Sequence, residues 1–137
     1  MKTHNKETIR LLIEEVFNKG NLTVLDEVIH ADYLYQSPTE RMEGIGELRA
    51  FIQALRIAFP DLHIHIDEQI LEGDKVTTRI TMSGTHRGDF LGLPETGKSV
   101  NLQGVIISHL EDGLIREEWE LLDQLTLLQQ LGIAEGV

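Results

Sequence analysis

Apolar residues recur every three or four positions through the first 60 residues, which is the spacing of helices that bury one face. The pattern predicts one helix over residues 5–19, a shorter one over residues 22–29 and a third that starts at residues 44–47. The third helix must end before Pro60, because proline pushes the preceding residue out of the helical region. Between the second and third helices, residues 33–36 are predicted to be extended.

After Pro60 the apolar residues alternate with polar ones, as they do in a strand with one buried face. Four strands are predicted, over residues 62–67, 75–84, 100–110 and 114–122, and a last helix over residues 125–131. Tight turns that contain glycine join the first strand to the second and the third to the fourth. Helices followed by an antiparallel meander predict an α+β domain, in which a curved sheet wraps around helices as a cone.

Length and composition exclude several classes of protein. The 137 residues, of which 41% are hydrophobic, suffice for one domain over residues 1–137. The chain has 12 basic and 23 acidic residues, a net charge of −11 and no basic stripe, so nucleic acid is not an expected partner. There is no cysteine, which excludes disulfides, thiolate metal sites and a cysteine nucleophile. No run reaches membrane-spanning length and the polar N-terminus has no signal peptide, which predicts a cytoplasmic protein that does not bind membranes.

Two stretches of the sequence resemble a known family. Residues 79–104 read RITMSGTHRGDFLGLPETGKSVNLQG, with an arginine-containing strand, a Gly-Thr-His turn and a Leu-Pro-x-Thr-Gly-Lys loop. The second stretch reads Asp112-Gly113-x-Ile115-x-Glu117-x-Trp119-x-x-x-Asp123. Both resemble the SnoaL-like polyketide cyclases of the nuclear transport factor 2-like superfamily, and the resemblance covers nearly the whole chain. Gln36 departs from it, since many relatives have His or Asn there.

The resemblance implies a cone-shaped α+β barrel with a deep apolar pocket, assembled into homodimers or homotetramers through the outer sheet face. Apolar residues on both faces of the third predicted strand also favour such an oligomer. Cyclases of this family close a ring by intramolecular aldol condensation of a polyketide ester, without a metal or an organic cofactor. Their acid and base is an aspartate, and by position the resemblance assigns that role to Asp123.

Asp123 has a structural and a catalytic interpretation. It directly precedes the last predicted helix, and aspartate is among the best N-caps. It also shares the strand parity of Ile115, Glu117 and Trp119, so the carboxylates face the pocket if the apolar side chains do. Burial in an apolar pocket would raise its pKa and suit it to general acid and base catalysis. Both roles can reside on one side chain.

Arg79 and His86 are the other two predicted catalytic residues. Arg79 lies on a long strand, where it can form a buried ion pair with Glu117 or polarise a substrate carbonyl. His86 follows Gly84 closely, and a bulge there would turn the imidazole toward the pocket mouth. Each residue also has a structural interpretation, which is an ion pair for Arg79 and a surface turn for His86.

Six residues are predicted to bind substrate in the pocket: Tyr33, Gln36, Phe51, Phe59, Glu117 and Trp119. Three histidines are candidate ligands for a metal ion. His63 and His65 have a spacing that zinc accepts, and His109 could supply a third ligand. The polar face of an antiparallel sheet explains these histidines better, so no metal site is predicted.

The leading functional hypothesis is a cofactor-independent enzyme that acts on an apolar or aromatic carbonyl compound, closest to an aldol-type ester cyclase. The first alternative is a noncatalytic module that sequesters an apolar metabolite, because aromatic residues serve a binding pocket as well as a reaction chamber. The second alternative is an isomerase or an epoxide hydrolase, since a pocket carboxylate with a guanidinium can also activate water or shift a double bond. All three stay open at the level of sequence.

Overall fold

Helices precede most of the strands along the chain. The structure, a computed structural model, describes residues 4–133. Its α-helices are α1 (Asn5–Leu11), α2 (Leu25–Val28), α3 (Gly44–Ala58) and α4 (Gln124–Gln130). A π-helix, Leu12–Asn18, continues α1, and a 3₁₀ turn, Leu22–Val24, leads into α2. No helix in this part of the chain is long and apolar enough to span a membrane.

The strands form one six-stranded sheet. They are β1 (Ile29–Gln36), β2 (Arg41–Glu43), β3 (His63–Glu72), β4 (Lys75–Thr85), β5 (Ser99–Glu111) and β6 (Leu114–Leu122). Their order across the sheet is β2-β1-β6-β5-β4-β3. Neighbouring strands pair antiparallel except β1 and β6, which run parallel. Helices on a mostly antiparallel sheet confirm the predicted α+β class.

The predicted elements differ from the structure mainly in the first third of the chain. The helix predicted over residues 5–19 begins as an α-helix and widens into a π-helix, which the apolar pattern does not reveal. The segment predicted at residues 33–36 is the second half of β1, which begins at Ile29. The sequence pattern does not predict β2, since three residues are too few for an alternation to stand out.

The core lies between the helices and one face of the sheet. In β4 the even-numbered residues Val76, Thr78, Ile80 and Met82 are buried there, as the alternation predicts for its apolar members. From the helical side, α3 contributes buried side chains such as Ile52, which is 0% exposed. One face of the sheet is therefore the wall of the core, and the other is the outer face of the molecule.

The loop that follows β4 is anchored to the end of α3. The backbone N–H groups of Arg87 and Gly88 both donate to the carbonyl oxygen of Ala58, at 2.9 and 3.2 Å. A Cβ at Gly88 would lie 2.4 Å from the carbonyl oxygen of Ile57, so glycine alone allows this close approach. The anchored loop carries Phe90, which packs against the core.

The pairing of β5 with β6 contains one irregularity. Leu110 of β5 pairs with Ile115 of β6. The residue before it, His109, pairs with Glu117, which leaves Arg116 as an extra residue in β6. One extra residue is a β-bulge, and because side chains alternate along a strand, it exchanges the two faces beyond it. Ile115 is buried in the core, yet beyond the bulge the even-numbered residues of β6 face the core.

This exchange of faces corrects the predicted orientation of β6. The sequence pattern places Glu117, Trp119 and Asp123 on the face of Ile115, inside the pocket. In the structure Trp119 is 43% exposed on the outer face, and Glu117 is exposed on the same face. The inner face carries Glu118 instead, and that residue is 7% exposed.

Candidate active site

A cavity of about 280 Å³ lies between the helices and the inner face of the sheet. Most of its wall is aliphatic or aromatic, with contributions from Ile13 and Phe17 of the π-helix, Phe51 of α3 and Ile80 of β4. Its volume is close to the lower end of the range of ligand pockets, roughly 300–1,000 Å³. A cavity of this size and lining suits a small apolar molecule.

Part of the cavity wall is polar, and its most buried carboxyl group is that of Glu118. The Tyr33 hydroxyl donates to Glu118 Oε1 at 2.8 Å, and the Ser108 hydroxyl donates to Oε2 at 2.7 Å. Burial raises the pKa of Glu118, and the two hydrogen bonds only partly oppose this effect. Burial and the adjoining Glu118 carboxylate also raise the pKa of Tyr33, so its hydroxyl keeps its proton.

Tyr35 and Glu120 form a second pair, two residues farther along β1 and β6. The Tyr35 hydroxyl donates to Glu120 Oε1. Burial is the main cause that raises the pKa of Glu120 to about 7. The negative charges of Glu118 and Glu40 raise this pKa further, whereas the hydrogen bond from Tyr35 lowers it. At neutral pH the Glu120 carboxyl is therefore present in both its protonated and its ionised form.

The parallel pairing of β1 with β6 brings the two pairs together. Tyr35 lies opposite Glu118 in the ladder. Residues two apart face the same side of a strand, so Tyr33 and Tyr35 point inward together, as do Glu118 and Glu120. A carboxyl whose pKa lies near the working pH can take a proton and return it, which are the two steps of general base and general acid catalysis. Glu120 meets this requirement.

Asp123 lies outside the cavity, so the predicted position of the catalytic aspartate is wrong. It is the N-cap of α4: its Oδ2 accepts from the Thr126 hydroxyl at 2.6 Å and its Oδ1 from the Thr126 N–H at 3.1 Å. These two bonds lower its pKa, which is the opposite of the expected direction. The side chain is exposed, and helix capping accounts for its contacts.

The family model described as SnoaL-like polyketide cyclase matches residues 7–131. The chain belongs to this SnoaL-like family. Nogalonic acid methyl ester cyclase of Streptomyces nogalater is 31% identical to it over 121 residues, which are 85% of this chain and 89% of that protein. Aklanonic acid methyl ester cyclase DnrD of Streptomyces peucetius is 28% identical over 131 residues, which are 92% of this chain and 89% of that protein.

The fold of this SnoaL-like protein also matches a solved structure. TsrD from Streptomyces laurentii superposes on it with a TM-score of 0.88 at 30% sequence identity, and the match covers 98% of each chain. This similarity confirms the fold predicted from the family resemblance, a curved sheet wrapped around helices.

Arg79 of the SnoaL-like chain lies on the outer face of β4, and its predicted position inside the pocket is wrong. The guanidinium contacts Glu68 at 3.4 Å and Asp67 at 3.6 Å. The expected buried pair with Glu117 does not form. Both residues lie on the outer face, β5 separates their strands, and the register puts Arg79 level with Leu121 rather than with Glu117. Exposed ion pairs of this kind contribute little to stability.

Gln36, Glu117 and Trp119 are predicted to bind substrate, but they do not line the apolar cavity. They lie together in a shallow groove on the outer face of the sheet. Gln36 follows the inward-facing Tyr35 on β1, so strand alternation turns it outward. The same alternation, shifted by the bulge, turns the other two outward. The predicted position of all three in the pocket is therefore wrong.

His86 and Phe59 are buried behind the cavity wall, so their predicted positions are also wrong. The His86 Nδ1 lies 3.0 Å from the Thr96 hydroxyl and accepts from the Thr96 N–H at 3.3 Å. The ring centroid of Phe59 lies 5.5 Å from that of His86 and 5.4 Å from that of Phe90. Phe90 lines the cavity in front of both residues.

Tyr33 and Phe51 do line the cavity, and substrate binding by either stays a prediction. Sequence reasoning missed Glu118 and Glu120, because nothing in the sequence marks Arg116 as a bulge. One signal could have found them. Two tyrosines at a spacing of two in one predicted strand, and two glutamates at the same spacing in another, are complementary hydrogen-bonding pairs when the strands are neighbours.

The three histidines considered as metal ligands lie apart. His63 and His65 are on β3 and His109 is on β5, with β4 between the two strands. His65 Nδ1 contacts Asp67 Oδ1 at 2.8 Å instead. Within residues 4–133, no group of three or more His, Cys, Asp or Glu side chains is arranged to hold a metal ion.

Proposed function

We propose that this protein is an ester cyclase, which closes a ring by an intramolecular aldol reaction in an apolar, polyketide-derived carbonyl compound. The observation that carries the proposal is the Glu118–Glu120 pair on the inner face of β6, in the polar part of the wall of an apolar cavity. The relatives at 28% and 31% identity are methyl ester cyclases, which supports the same class of substrate here.

The proposed step moves one proton from carbon to oxygen and needs no other reactant. The Glu120 carboxylate removes a proton from a methylene flanked by carbonyl groups, and the resulting enolate carbon attacks a ketone carbon of the same molecule. The electron pair of the ketone π bond moves to its oxygen, which takes the proton back from Glu120. One carbon–carbon bond forms, and the product is an isomer of the substrate.

The neighbours of Glu120 act as positioning residues. Tyr35 holds Glu120 by a hydrogen bond to Oε1, while Tyr33 and Ser108 hold Glu118 in the same way. Fixed partners of this kind keep the carboxyl in one orientation, which lowers the reorganisation needed during proton transfer. The apolar wall excludes water, which would otherwise compete for the proton.

The proposal is tested with aklanonic acid methyl ester and nogalonic acid methyl ester, by chromatography that separates each linear ester from its cyclised isomer. We expect the wild type to cyclise at least one of them. Replacement Glu120→Gln keeps the shape but removes the group that accepts and returns the proton, so turnover should fall at least ~100-fold. Circular dichroism and thermal unfolding should show that the variant is folded.

The matched control is Asp123→Asn, which changes a carboxyl three residues away that lies outside the cavity. Asparagine caps a helix nearly as well as aspartate, so this variant should keep both fold and turnover. Loss of turnover in Asp123→Asn with full activity in Glu120→Gln would overturn the assignment. A wild type that binds these esters but turns over neither would favour the noncatalytic binding module.

We also propose that the protein forms a homodimer or homotetramer through the outer face of the sheet. Ile107, Trp119 and Leu121 are large apolar residues that are 38%, 43% and 51% exposed there. Ile107 and Trp119 are cross-strand partners, so they form one patch. A patch of this kind on a sheet is typical of an interface. The cytoplasmic location stays a prediction.

A further inference from the structure

The cavity contains carboxylates but no basic group to balance them. Glu40, Glu118 and Glu120 all line it, and among the described lining residues there is no Lys, Arg or His. Its remaining polar side chains are hydroxyls and one amide. A ligand that carries a negative charge would therefore enter without a cationic partner, whereas a neutral ligand needs none.

Glu40 lines this cavity beside residues that are exposed to solvent. It belongs to the turn between β1 and β2, where its N–H donates to the Ser37 hydroxyl at 3.0 Å and its carbonyl oxygen accepts from the Ser37 N–H at 2.9 Å. The adjoining lining residues Thr39 and Gln124 are exposed and are joined by a hydrogen bond of 3.0 Å. Glu40 is therefore the carboxyl group of the lining that lies in this exposed turn, whereas Glu118 and Glu120 lie on β6.

The charge of Glu40 also acts on the groups deeper in the site. It raises the pKa of Glu120 and the pKa of Tyr35, each as a smaller cause beside burial. Its carboxylate is therefore close enough to influence charge at the acid–base centre. A carboxylate ligand placed at that centre would experience the same repulsion, in addition to the cost of leaving water for an apolar wall.

We infer that Glu40 is a specificity-determining residue that excludes anions, so that the cavity accepts the esterified form of a carboxyl compound and rejects the free acid. The inference rests on the proposed function, which identifies the cavity as the substrate site. It adds that the ligand is uncharged and that Glu40 is the residue that selects for this. The ester and the acid differ little in shape, so charge is what separates them.

The test measures binding of three fluorescent probes at pH 8: methyl 1-hydroxy-2-naphthoate, the neutral primary amide 1-hydroxy-2-naphthamide and the anion 1-hydroxy-2-naphthoate. The amide matches the anion in size, so it isolates the effect of charge from that of the methyl group. We expect the wild type to bind the ester and the amide at least about ten-fold more tightly than the anion, the scale of one partly screened charge repulsion.

Replacement Glu40→Gln should raise the affinity for the anion about five-fold or more and leave the affinities for the ester and the amide within about two-fold, since one charge repulsion is removed. The control is Glu43→Gln, three residues away on β2, where Glu43 contacts Arg41 at 2.8 Å and does not line the cavity. This control should bind all three probes as the wild type does.

Three results would overturn the inference. They are equal affinity of the wild type for the anion and the amide, no binding of any probe, and a Glu40→Gln variant that changes all three affinities by one factor. The cyclisation assay separates this inference from the proposed function. A wild type that rejects the anion but cyclises no ester overturns the proposed function alone, and one that cyclises an ester yet binds the anion equally overturns this inference alone.

Discussion

Glu120 and Asp123 are carboxylates three residues apart whose surroundings drive their pKa values in opposite directions. Burial raises the pKa of Glu120 to about 7, while two hydrogen bonds from Thr126 lower that of Asp123. The first group is partly buried at the cavity wall, and the second is exposed at a helix end. The place of Asp123 at the end of a strand therefore does not make it an acid–base residue. The pKa of a carboxyl group depends on its solvation and its hydrogen bonds, which the position in the sequence does not show.

Removal of the Tyr35 hydroxyl should move the pH dependence of activity to higher pH. The base must be ionised, so kcat/KM is expected to rise as the pH increases through the pKa of Glu120, at about 7. The Tyr35 hydrogen bond lowers that pKa, so Tyr35→Phe should shift the rising limb upward. The matched variant Tyr33→Phe removes a bond to Glu118 instead and should not shift it upward. An unmoved limb in Tyr35→Phe would exclude Glu120 as the titrating base.

Replacement Glu120→Gln should stabilise the protein increasingly as the pH rises. The folded pKa of Glu120, about 7, is higher than the ordinary value of 4.5, so the folded protein favours the protonated carboxyl. Its contribution to stability is present below pH 4.5 and is lost as the pH rises through 7. Glutamine has no charge to desolvate, so the free energy of unfolding of the variant should exceed that of the wild type by about 3 kcal/mol at pH 8 and by about 1 kcal/mol or less at pH 5.

Chemical denaturation at the two pH values measures this difference. Glu117→Gln is the control, because Glu117 is exposed on the outer face and its replacement should follow the wild type at both pH values. A Glu120→Gln variant whose advantage does not grow with pH would show that the carboxyl is not buried at the cavity wall.

The strands show which parts of the fold could be predicted from the sequence. In β4 the alternation of apolar and polar residues correctly assigns Val76, Ile80 and Met82 inward. Arg79 belongs to the opposite face by the same alternation, and the prediction that it lies in the pocket is wrong. In β6 the same reasoning fails after Arg116, because an extra residue leaves no mark in a pattern of residue types. The acid–base pair depends on that bulge, so it was not predicted, whereas the capping role of Asp123 follows from local sequence alone.

Replacement Gly88→Ala should destabilise the protein by about 1–3 kcal/mol, because the new Cβ would overlap the carbonyl oxygen of Ile57 and push the loop away from α3. The matched control is Gly46→Ala in α3, where a Cβ meets nothing within 4 Å. This control should stabilise the protein by about 0.5–1 kcal/mol through helix propensity. Thermal unfolding compares the two. Equal stability of Gly88→Ala and the wild type would contradict the close packing of this loop.

At the scale of the whole molecule, the outer sheet face is expected to hold copies together. Light scattering should give at least twice the 15.5 kDa of one chain at micromolar concentration. Trp119→Glu adds a charge to the apolar patch and should yield the mass of one chain, because like charges would meet across the interface. Ile57→Glu is the control. Ile57 is 67% exposed, and it lies on α3, which packs on the inner face of the sheet and not on the outer face that carries the patch. A wild type that scatters as one chain would overturn the proposal.

The two tyrosine–glutamate hydrogen bonds each join residues 85 positions apart. Closing a loop of that length has an entropic cost, and folds rich in distant pairings fold slowly. During synthesis β1 emerges well before its neighbour β6, so a nascent chain that lacks β6 has both tyrosines but neither glutamate. We expect the acid–base centre to form late, in the same cooperative step that closes the sheet, and catalytic competence should therefore appear in refolding only after most of the secondary structure has returned.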